Sequence, residues 1–573
     1  MYFRKRSLRF ILLFIFFILF FGFFTLKLVL IQVFRSSYLN HLAQKQQTHV
    51  ITLAPKRGTI YDRQFRPLAL DIAAYSLYAA PRMMKPADIE KAIDVLPRTI
   101  GLDKDLLRER LTRDKGFVWL ARKLSLDDME KVLAFKLRGI HFMKESKRSY
   151  PGHEAAAHLV GFAGTDGHGL EGLELKFDKL LAGREGAAQI LRDARQQDLL
   201  IEQALLKPQD GFDLILTIDD NIQYFVEQAL AKGFQRHRAM SASVVVLNPR
   251  TGEVLALANR PTYDLNEFGK SHEDQRKNRA VCDMYEPGSV FKVVLTSAAL
   301  EKGIVQETDK VFCENGAYRI VNHTLHDHHA HGTLTFREVV EQSSNIGVVK
   351  IAQKLGGPVF NDYAQRFGFG KRTGIDVPGE INGSLKSYGQ WSKISIGSVP
   401  IGHEVGVTTI QLACAIAAIA NDGILMKPYV VKEIRDKNGE TIEKFSPHVV
   451  RQVIDPATAQ RVKSILAGAI ERGTGKLARI KNVAAAGKTG TAQKIVSGRY
   501  SHDHFYATFI GFAPVEDPKV AMAIMFDNPR GTYFGGTVCA PIFKEIAENV
   551  LKYLQAEEAV QSKKSHAAEE SSR

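Results

Sequence analysis

From Phe10 to Leu26 the chain is almost wholly apolar, and Leu28 to Ile31 extend the run past Lys27. A run of this length and purity has one stable home, a helix crossing a hydrocarbon core of about 30 Å. The first thing the sequence dictates is therefore a single N-terminal transmembrane helix over residues 10–31. Arg4, Lys5, Arg6 and Arg9 precede it. The positive-inside rule keeps these basic residues in the cytoplasm, as a tail over residues 1–9. A cleaved signal peptide would need a shorter apolar core and a small-residue cleavage site. The exit Gln32-Val33-Phe34-Arg35 offers none, so an uncleaved anchor is expected. No second span follows, so the rest of the chain is expected outside the cytoplasm, on the periplasmic side of an inner membrane.

At 573 residues, with 45% hydrophobic content, the chain has material for several domains and a sizeable core. Its net charge of +15 is spread along the length, without zinc-finger spacing or an aromatic-interleaved basic motif. Nucleic acid is thus not an expected partner, and a polyanionic membrane or wall surface is. Cys282, Cys313, Cys414 and Cys539 are too widely spaced for a metal site or a small disulfide framework. Cys414 lies in an apolar helical run and reads as a buried thiol, while a Cys282–Cys313 bridge is left open.

After the anchor, a connecting stretch reaches about Lys56. From Arg57 to about Leu206 short strands mix with polar amphipathic helices, one opened by the cap Ser125-Leu126-Asp127-Asp128. Pro208-Gln209-Asp210-Gly211 is a turn, Leu214 to Ile218 a strand, and a helix starts near Asn221. Two hairpins are expected further on. One is Ser243–Leu247 with Glu253–Ala258; the other is Tyr506–Phe512 with Val520–Phe526. Long apolar helices lie between them, including Thr409 to Ala420, and a helix from Ile542 to about Leu554 follows. This order predicts an α+β fold, an antiparallel sheet flanked by helices. The polar tail over residues 556–573 is expected to be disordered.

The chemistry begins at Ser289-Val290-Phe291-Lys292-Val293-Val294-Leu295, a helix start that is apolar all round. Such a helix is buried, and an unpartnered buried ammonium costs several kcal/mol, on the order given for buried ions. Lys292 lies three residues after Ser289 and shares its helix face. Pro287-Gly288 puts Ser289 at the helix N-terminus, where free N–H groups stabilise an anion. A desolvated lysine beside a serine is a general base beside a nucleophile. By itself the pair is also compatible with a structural lysine.

Two more motifs follow. Ser343-Ser344-Asn345 separates the helical stretches Phe336–Glu341 and Ile346–Leu355, either as a plain N-cap or as a loop presenting a hydroxyl and an amide. Lys488-Thr489-Gly490-Thr491 follows the small residues Ala484-Ala485-Ala486-Gly487, which suits a sheet edge open to an extended peptide. A third feature is a tract rich in histidine, His323, His326, His328, His329 and His331. It raises metal binding as one reading and a polar loop beside the cleft as the preferred one.

Ser-x-x-Lys, Ser-x-Asn and Lys-Thr-Gly in this order are the motif set of penicillin-binding proteins and class A β-lactamases. The chain resembles a class B penicillin-binding protein, a monofunctional peptidoglycan D,D-transpeptidase. Arg57-Gly58-Thr59-Ile60-Tyr61-Asp62-Arg63, Arg148-Ser149-Tyr150-Pro151 and Gly169-Leu170-Glu171-Gly172-Leu173-Glu174 resemble boxes of that family's non-catalytic pedestal. Gly535-Gly536-Thr537-Val538 with Ala540-Pro541-Ile542-Phe543 resembles its closing segment, and Glu286-Pro287-Gly288-Ser289 resembles the cell-division subgroup. Bulky Val290 and Phe291 depart from the pattern and are expected to tighten the pocket floor.

The resemblance implies a pedestal or dimerisation-like domain over 32–220 and a transpeptidase domain over 221–555. It implies Ser289 as nucleophile, Lys292 as base, Ser343 and Asn345 in proton transfer and substrate holding, and Lys488 as a further catalytic group. Thr489, Gly490 and Thr491 would bind substrate, and the N–H groups of Ser289 and Thr491 would form the oxyanion hole. The implied substrates are D-Ala-D-Ala stem peptides, with β-lactams as covalent inhibitors and no metal or cofactor. A membrane glycan polymerase and other division proteins are the implied partners, in septal wall synthesis. An elongation-type transpeptidase, a carboxypeptidase, and a membrane-anchored β-lactam sensor or β-lactamase share the motifs.

Overall fold

The computed structural model describes residues 2–192, 198–321 and 323–571. Two compact units emerge, and they do not follow linear boundaries. One is drawn from Met1–Lys56 and Gly183–Gly211, the other from Arg57–Ala182 and Phe212–Arg573.

In the first unit helix Tyr2–Val29 runs into a single π-turn, Leu30–Phe34. Leu8 to Phe34 is the one segment, among the described residues, long and apolar enough to cross a membrane, and none of its most apolar stretch is covered by protein. A helix exposing phenylalanine, leucine and isoleucine on every side is stable only in an apolar solvent. Helix Ser36–Gln47 follows, then strand Thr48–Leu53, which pairs antiparallel with Gly186–Arg192 and through it with Asp198–Leu206.

The second unit holds two large sheets and, among the described residues, four two-stranded ribbons. The larger is mixed and runs Thr441–Lys444, Val431–Arg435, Asp213–Leu216, Ile60–Tyr61, Pro67–Ala79, Val118–Leu124, with Ile140–Ser149 also paired to Pro67–Ala79. Around it the three pedestal-like boxes meet in a buried ion cluster. Glu174, fully buried, accepts from Arg57 Nε at 2.6 Å and from Arg148 Nε at 2.6 Å. Arg57 also reaches Asp178 at 2.7 Å, and Arg148 reaches Asp71 at 3.2 Å. Burial pulls the Arg148 guanidinium down, yet Glu174 and Asp71 hold it above its ordinary value.

The second sheet carries the site. Its order is Val254–Arg260, Ser241–Leu247, Val520–Asp527, Arg499–Ala513, Ala486–Val496, every pair antiparallel. Both expected hairpins are in it. Every residue of Ser241–Leu247 is buried, because the sheet is covered on both faces. Val244 and Val246 point to one core, with Ile222, Val226 and Leu230 of helix Asp220–His237 and with Ile542, Phe543 and Ile546. Val245 and Leu247 point to the other, with Val293, Val294 and Ile410. The period-two alternation of a strand thus feeds two cores from one run of valines.

One expectation is corrected at the C-terminus. The helix beginning at Ala540 does not stop near Leu554 but continues to Ser571, through the polar tail expected to be disordered; residues 572 and 573 lie outside the described residues. Low hydrophobicity argued for disorder, but the tail is rich in Ala, Glu, Gln and Lys, strong helix formers, with no Gly or Pro to stop propagation. All four cysteines are free thiols, which closes the Cys282–Cys313 question, and Cys414 is buried as expected.

Candidate active site

The site starts at a forced turn. Gly288 has φ +60°, and a Cβ there would sit 2.5 Å from the Thr491 carbonyl oxygen. Only glycine lets the chain bend there against the neighbouring strand. One 3-10 turn, Gly288–Phe291, then feeds helix Lys292–Glu301. Ser289 is half-buried and opens onto a cleft, whereas Val290, Phe291 and Lys292 are fully buried. Phe291 does not tighten the pocket floor as expected. It packs into an aromatic cluster with Phe369 at 4.9 Å and Phe360 at 6.0 Å, because its helix face turns to the core.

Lys292 is as buried as its apolar flanks require, and it is partnered. Its Nζ donates to the Ser343 carbonyl at 2.7 Å and to Asn345 Oδ1 at 2.7 Å, and lies 3.3 Å from Ser343 Oγ. Burial, and after it the charge of Lys488, pulls its pKa well below the ordinary lysine value, with Asp327 opposing. A lysine so placed favours the neutral amine, the form that can take a proton.

Ser343 sits between helices Phe336–Glu341 and Asn345–Leu355 with φ +61°, a left-handed backbone unusual for a non-glycine residue. Strain of this kind persists only where the surroundings over-determine it. Asp327 does so. Its Oδ1 accepts from the backbone N–H of Asn345 at 2.5 Å and of Ile346 at 3.0 Å, while its Oδ2 accepts from Ser344 Oγ at 2.6 Å. Ser344, not Ser343 or Asn345, is the side-chain N-cap, accepting from Gly347 N–H at 3.0 Å. Ser343 and Asn345 are thereby freed to point at Lys292. Asn345 Nδ2 donates to the His326 carbonyl at 2.9 Å.

Asp327 is a residue that sequence reasoning missed. It lies within the histidine-rich tract, and its helix-capping role is invisible from a distance of 19 residues. Only part of the tract is the expected polar loop: His323 and His326 stand on strand His323–His326, paired antiparallel with Ala317–Ile320, and His328, His329 and His331 lie on the loop after it. His328 lines the cleft and stands edge-on to Phe534 at 5.8 Å. Among the described residues no three His, Cys, Asp or Glu side chains gather as a metal-holding group.

Strand Ala486–Val496 is the edge of the five-stranded sheet. Gly490 is needed there: a Cβ would meet Thr508 Oγ1 at 2.2 Å and the Pro287 carbonyl at 2.7 Å. The strand and the Ser289 turn pack at backbone distance, as the small residues suggested. Lys488 Nζ donates to Ser343 Oγ at 2.7 Å. The hydroxyls of Thr489 and Thr474 are 2.7 Å apart, and Thr491 Oγ1 accepts from Gly535 N–H at 3.1 Å. Burial lowers the Lys488 pKa to about 7. Two amines thus share one hydroxyl, in a chain that can pass a proton along Lys292, Ser343 and Lys488. Ser289, Asn345 and Thr491 line one cleft of about 340 Å³ with His328, His403 and Tyr533.

A stability prediction follows from Lys488. Its folded pKa lies below the value it has when unfolded, so between about 7 and 10.5 the unfolded chain binds more protons. This group therefore adds stability as pH rises through that window, and its penalty is fully present below it. Melting of Lys488→Met should show a flatter rise of midpoint between pH 7 and 10 than the wild type. Parallel curves would refute the depressed pKa.

Residues 242–548 match the family of the penicillin binding protein transpeptidase domain, and residues 52–216 that of the penicillin-binding protein dimerisation domain. The chain is 35% identical to the probable peptidoglycan D,D-transpeptidase PenA of Neisseria meningitidis, over 90% of this chain and 88% of that one. It is 33% identical to peptidoglycan D,D-transpeptidase FtsI of Escherichia coli (92% and 88% covered) and 32% identical to stage V sporulation protein D of Bacillus subtilis (92% and 83%). Among solved structures, penicillin-binding protein 3 of Mycobacterium tuberculosis complexed with aztreonam superposes with a TM-score of 0.69 at 30% identity, over 89% of this chain and 98% of that one. Penicillin-binding protein 2X of Streptococcus thermophilus gives a TM-score of 0.74 at 25% identity, with 88% and 80% covered.

Proposed function

The chain belongs to the class B penicillin-binding proteins, the peptidoglycan D,D-transpeptidases, and from that premise we propose that Ser289 is its nucleophile and Lys292 the base. The observation that carries this reading is the junction at Ser343 Oγ, 3.3 Å from Lys292 Nζ and 2.7 Å from Lys488 Nζ, beside a cleft that Ser289 lines.

In the first half-reaction Ser289 Oγ attacks the carbonyl of the D-Ala-D-Ala amide, and neutral Lys292 takes its proton. The N–H groups of Ser289 and Thr491 hold the oxyanion, an interaction worth about 3–4 kcal/mol in other acyl-transfer enzymes. The proton moves through Ser343 to the departing D-Ala amine, and an ester on Ser289 remains. Asn345 holds the donor peptide's amide. Lys488 with Thr489 takes the terminal carboxylate, and the edge strand around Gly490 pairs with the extended peptide. In the second half-reaction an amine of a neighbouring stem peptide takes the acyl group and forms the crosslink. β-Lactams acylate the same serine, a reading supported by the aztreonam complex of the Mycobacterium tuberculosis relative.

Replacing Lys292 by alanine tests the assignment. The variant should still bind a fluorescent penicillin at a temperature where it is folded, although the change also removes a fully buried side chain and should lower the melting midpoint. It should acylate about 10²–10⁴-fold more slowly, the range for loss of a positioned base. Acylation at the wild-type rate would refute the role.

The apolar helix anchors the chain in a membrane in a single pass. The basic residues before it support a cytoplasmic N-terminus and an extracytoplasmic catalytic domain. The Glu286-Pro287-Gly288-Ser289 turn supports septal rather than elongation work. The region 57–220 is then a non-catalytic pedestal and a partner surface for a membrane glycan polymerase. A tagged full-length chain should sit at division sites and co-purify with such a polymerase. Uniform placement along the cell wall, with no polymerase recovered, would overturn the septal reading.

A further inference from the structure

The loop Gly402-His403-Glu404 is bonded directly to the turn that carries Ser289. Gly288 N–H donates to the Gly402 carbonyl at 3.2 Å. Gly402 has φ +86°, and a Cβ on it would lie 2.1 Å from the Gly288 carbonyl oxygen, so the two backbones touch. His403 follows and lines the same cleft as Ser289. Its Nδ1 is 2.7 Å from Glu286 Oε2, a carboxylate only three residues before Ser289. The other oxygen, Glu286 Oε1, accepts from Glu404 backbone N–H at 2.9 Å and from Tyr500 Oη at 3.1 Å. The Tyr500 ring stands edge-on to the imidazole at 5.1 Å. The Glu404 carboxylate is engaged elsewhere, by Ser395 Oγ at 3.0 Å and Lys386 Nζ at 3.5 Å.

A carboxylate on Nδ1 fixes the neutral ring with its proton on that nitrogen and leaves Nε2 as a proton acceptor. His328 and His502 line the cleft too, but among the described residues neither is paired with a carboxylate there. The Glu286–His403 pair has no task in the acylation scheme, where Lys292 and Ser343 handle the proton. The second half-reaction does have a proton left over. An alkylamine acceptor arrives as an ammonium near neutral pH. Ester and ammonium give amide, serine hydroxyl and one free proton, so the serine oxygen absorbs only one of the two protons the nitrogen must lose.

We infer that His403, oriented by Glu286, is the general base that takes this surplus proton from the acceptor amine. The inference rests on the transpeptidase reading of the Ser289 site. His403 Nε2 accepts a proton from the ammonium, and the freed nitrogen lone pair attacks the ester carbonyl. The C–N bond forms, and the C–Oγ bond breaks with its electron pair going to Ser289 Oγ. That oxygen takes the second nitrogen proton through Lys292, and the imidazolium releases the first to solvent. Glu286 is a positioning residue: it touches the ring and not the substrate.

The test separates the two half-reactions in the full-length chain in detergent. An N-acyl-D-alanyl thioester serves as donor and D-alanine as acceptor, while a fluorescent penicillin reports acylation. In His403→Gln, amine transfer should fall at least about 10-fold further than acylation, within the span for loss of a general base. In Glu286→Gln the ring loses the carboxylate that fixes its tautomer, so transfer should again fall further than acylation, with kcat for transfer lowered and the KM for D-alanine unchanged. Transfer and acylation falling by the same factor in His403→Gln would overturn the proposal, because the ring would then only shape the Ser289 turn. Equal losses of transfer and acylation in Glu286→Gln would overturn it as well. Failure of the wild type to acylate would overturn the transpeptidase reading itself and is distinguishable from both.

Discussion

Ser289→Ala is expected to lose covalent labelling by a fluorescent penicillin altogether, with turnover reduced by on the order of 10⁶-fold, as when a nucleophilic serine is removed from another acyl-transfer enzyme. The size follows from the chemistry. Lys292, Ser343 and Lys488 can move protons, but without the hydroxyl no ester forms, and the remaining groups only bind. The fold should be indifferent. Ser289 is half-buried at the cleft, its neighbours Val290 and Phe291 supply the packing, and alanine suits a helical turn. The melting midpoint should therefore match the wild type while gel fluorescence disappears. Undiminished labelling would mean that another residue carries the acyl group, and the site would have to be reassigned.

Glu174→Ala should have the largest effect on stability, about 3–5 kcal/mol, the usual result of removing one partner from a buried ion pair. Glu174 is fully buried and takes bonds from two arginines, Arg57 and Arg148, whose side chains are each 5% exposed. Deleting it leaves two guanidiniums in the interior with only Asp178 and Asp71 as counter-charges. The loss is mostly the cost of those stranded charges rather than the worth of the original pair. Thermal melting and limited proteolysis of the full-length protein would report it, with cleavage expected first in the region around Arg57, Arg148 and Glu174. A midpoint and cleavage pattern like the wild type would show that water or a rearranged Asp71 compensates. Acylation at Ser289, measured in the cold where the variant is folded, separates this role from catalysis.

The three motifs were legible because each is short and its residues are close neighbours in sequence. Ser289 and Lys292 share a helix face by spacing alone, and the apolar flanks announce the burial of the lysine. The two hairpins could be read from apolar runs on either side of the turns at residues 248–252 and 514–518, and helix Thr409–Ala420 from its apolar run ended by Asn421-Asp422-Gly423. The polar tail could not, because composition weighs against a packed core and says nothing about a helix that continues on propensity. Asp327 was overlooked among the histidines, since it is separated by 18 residues from the Asn345 N–H that it holds. The Glu286–His403 pair spans 117 residues, and no local pattern joins them.

By itself, then, the sequence determined the membrane-spanning helix, the α+β class and the chemical identity of the three motifs. Each depends on local periodicity or on residue type. Only the tertiary structure decided that Lys292 and Lys488, brought from two distant segments, meet at one Ser343 hydroxyl. It also decided that Arg57, Arg148 and Glu174 close into one buried cluster. Those meetings depend on which sheet edge faces which turn, a property of the packed whole. The resulting low-dielectric burial is what lowers the pKa of both lysines.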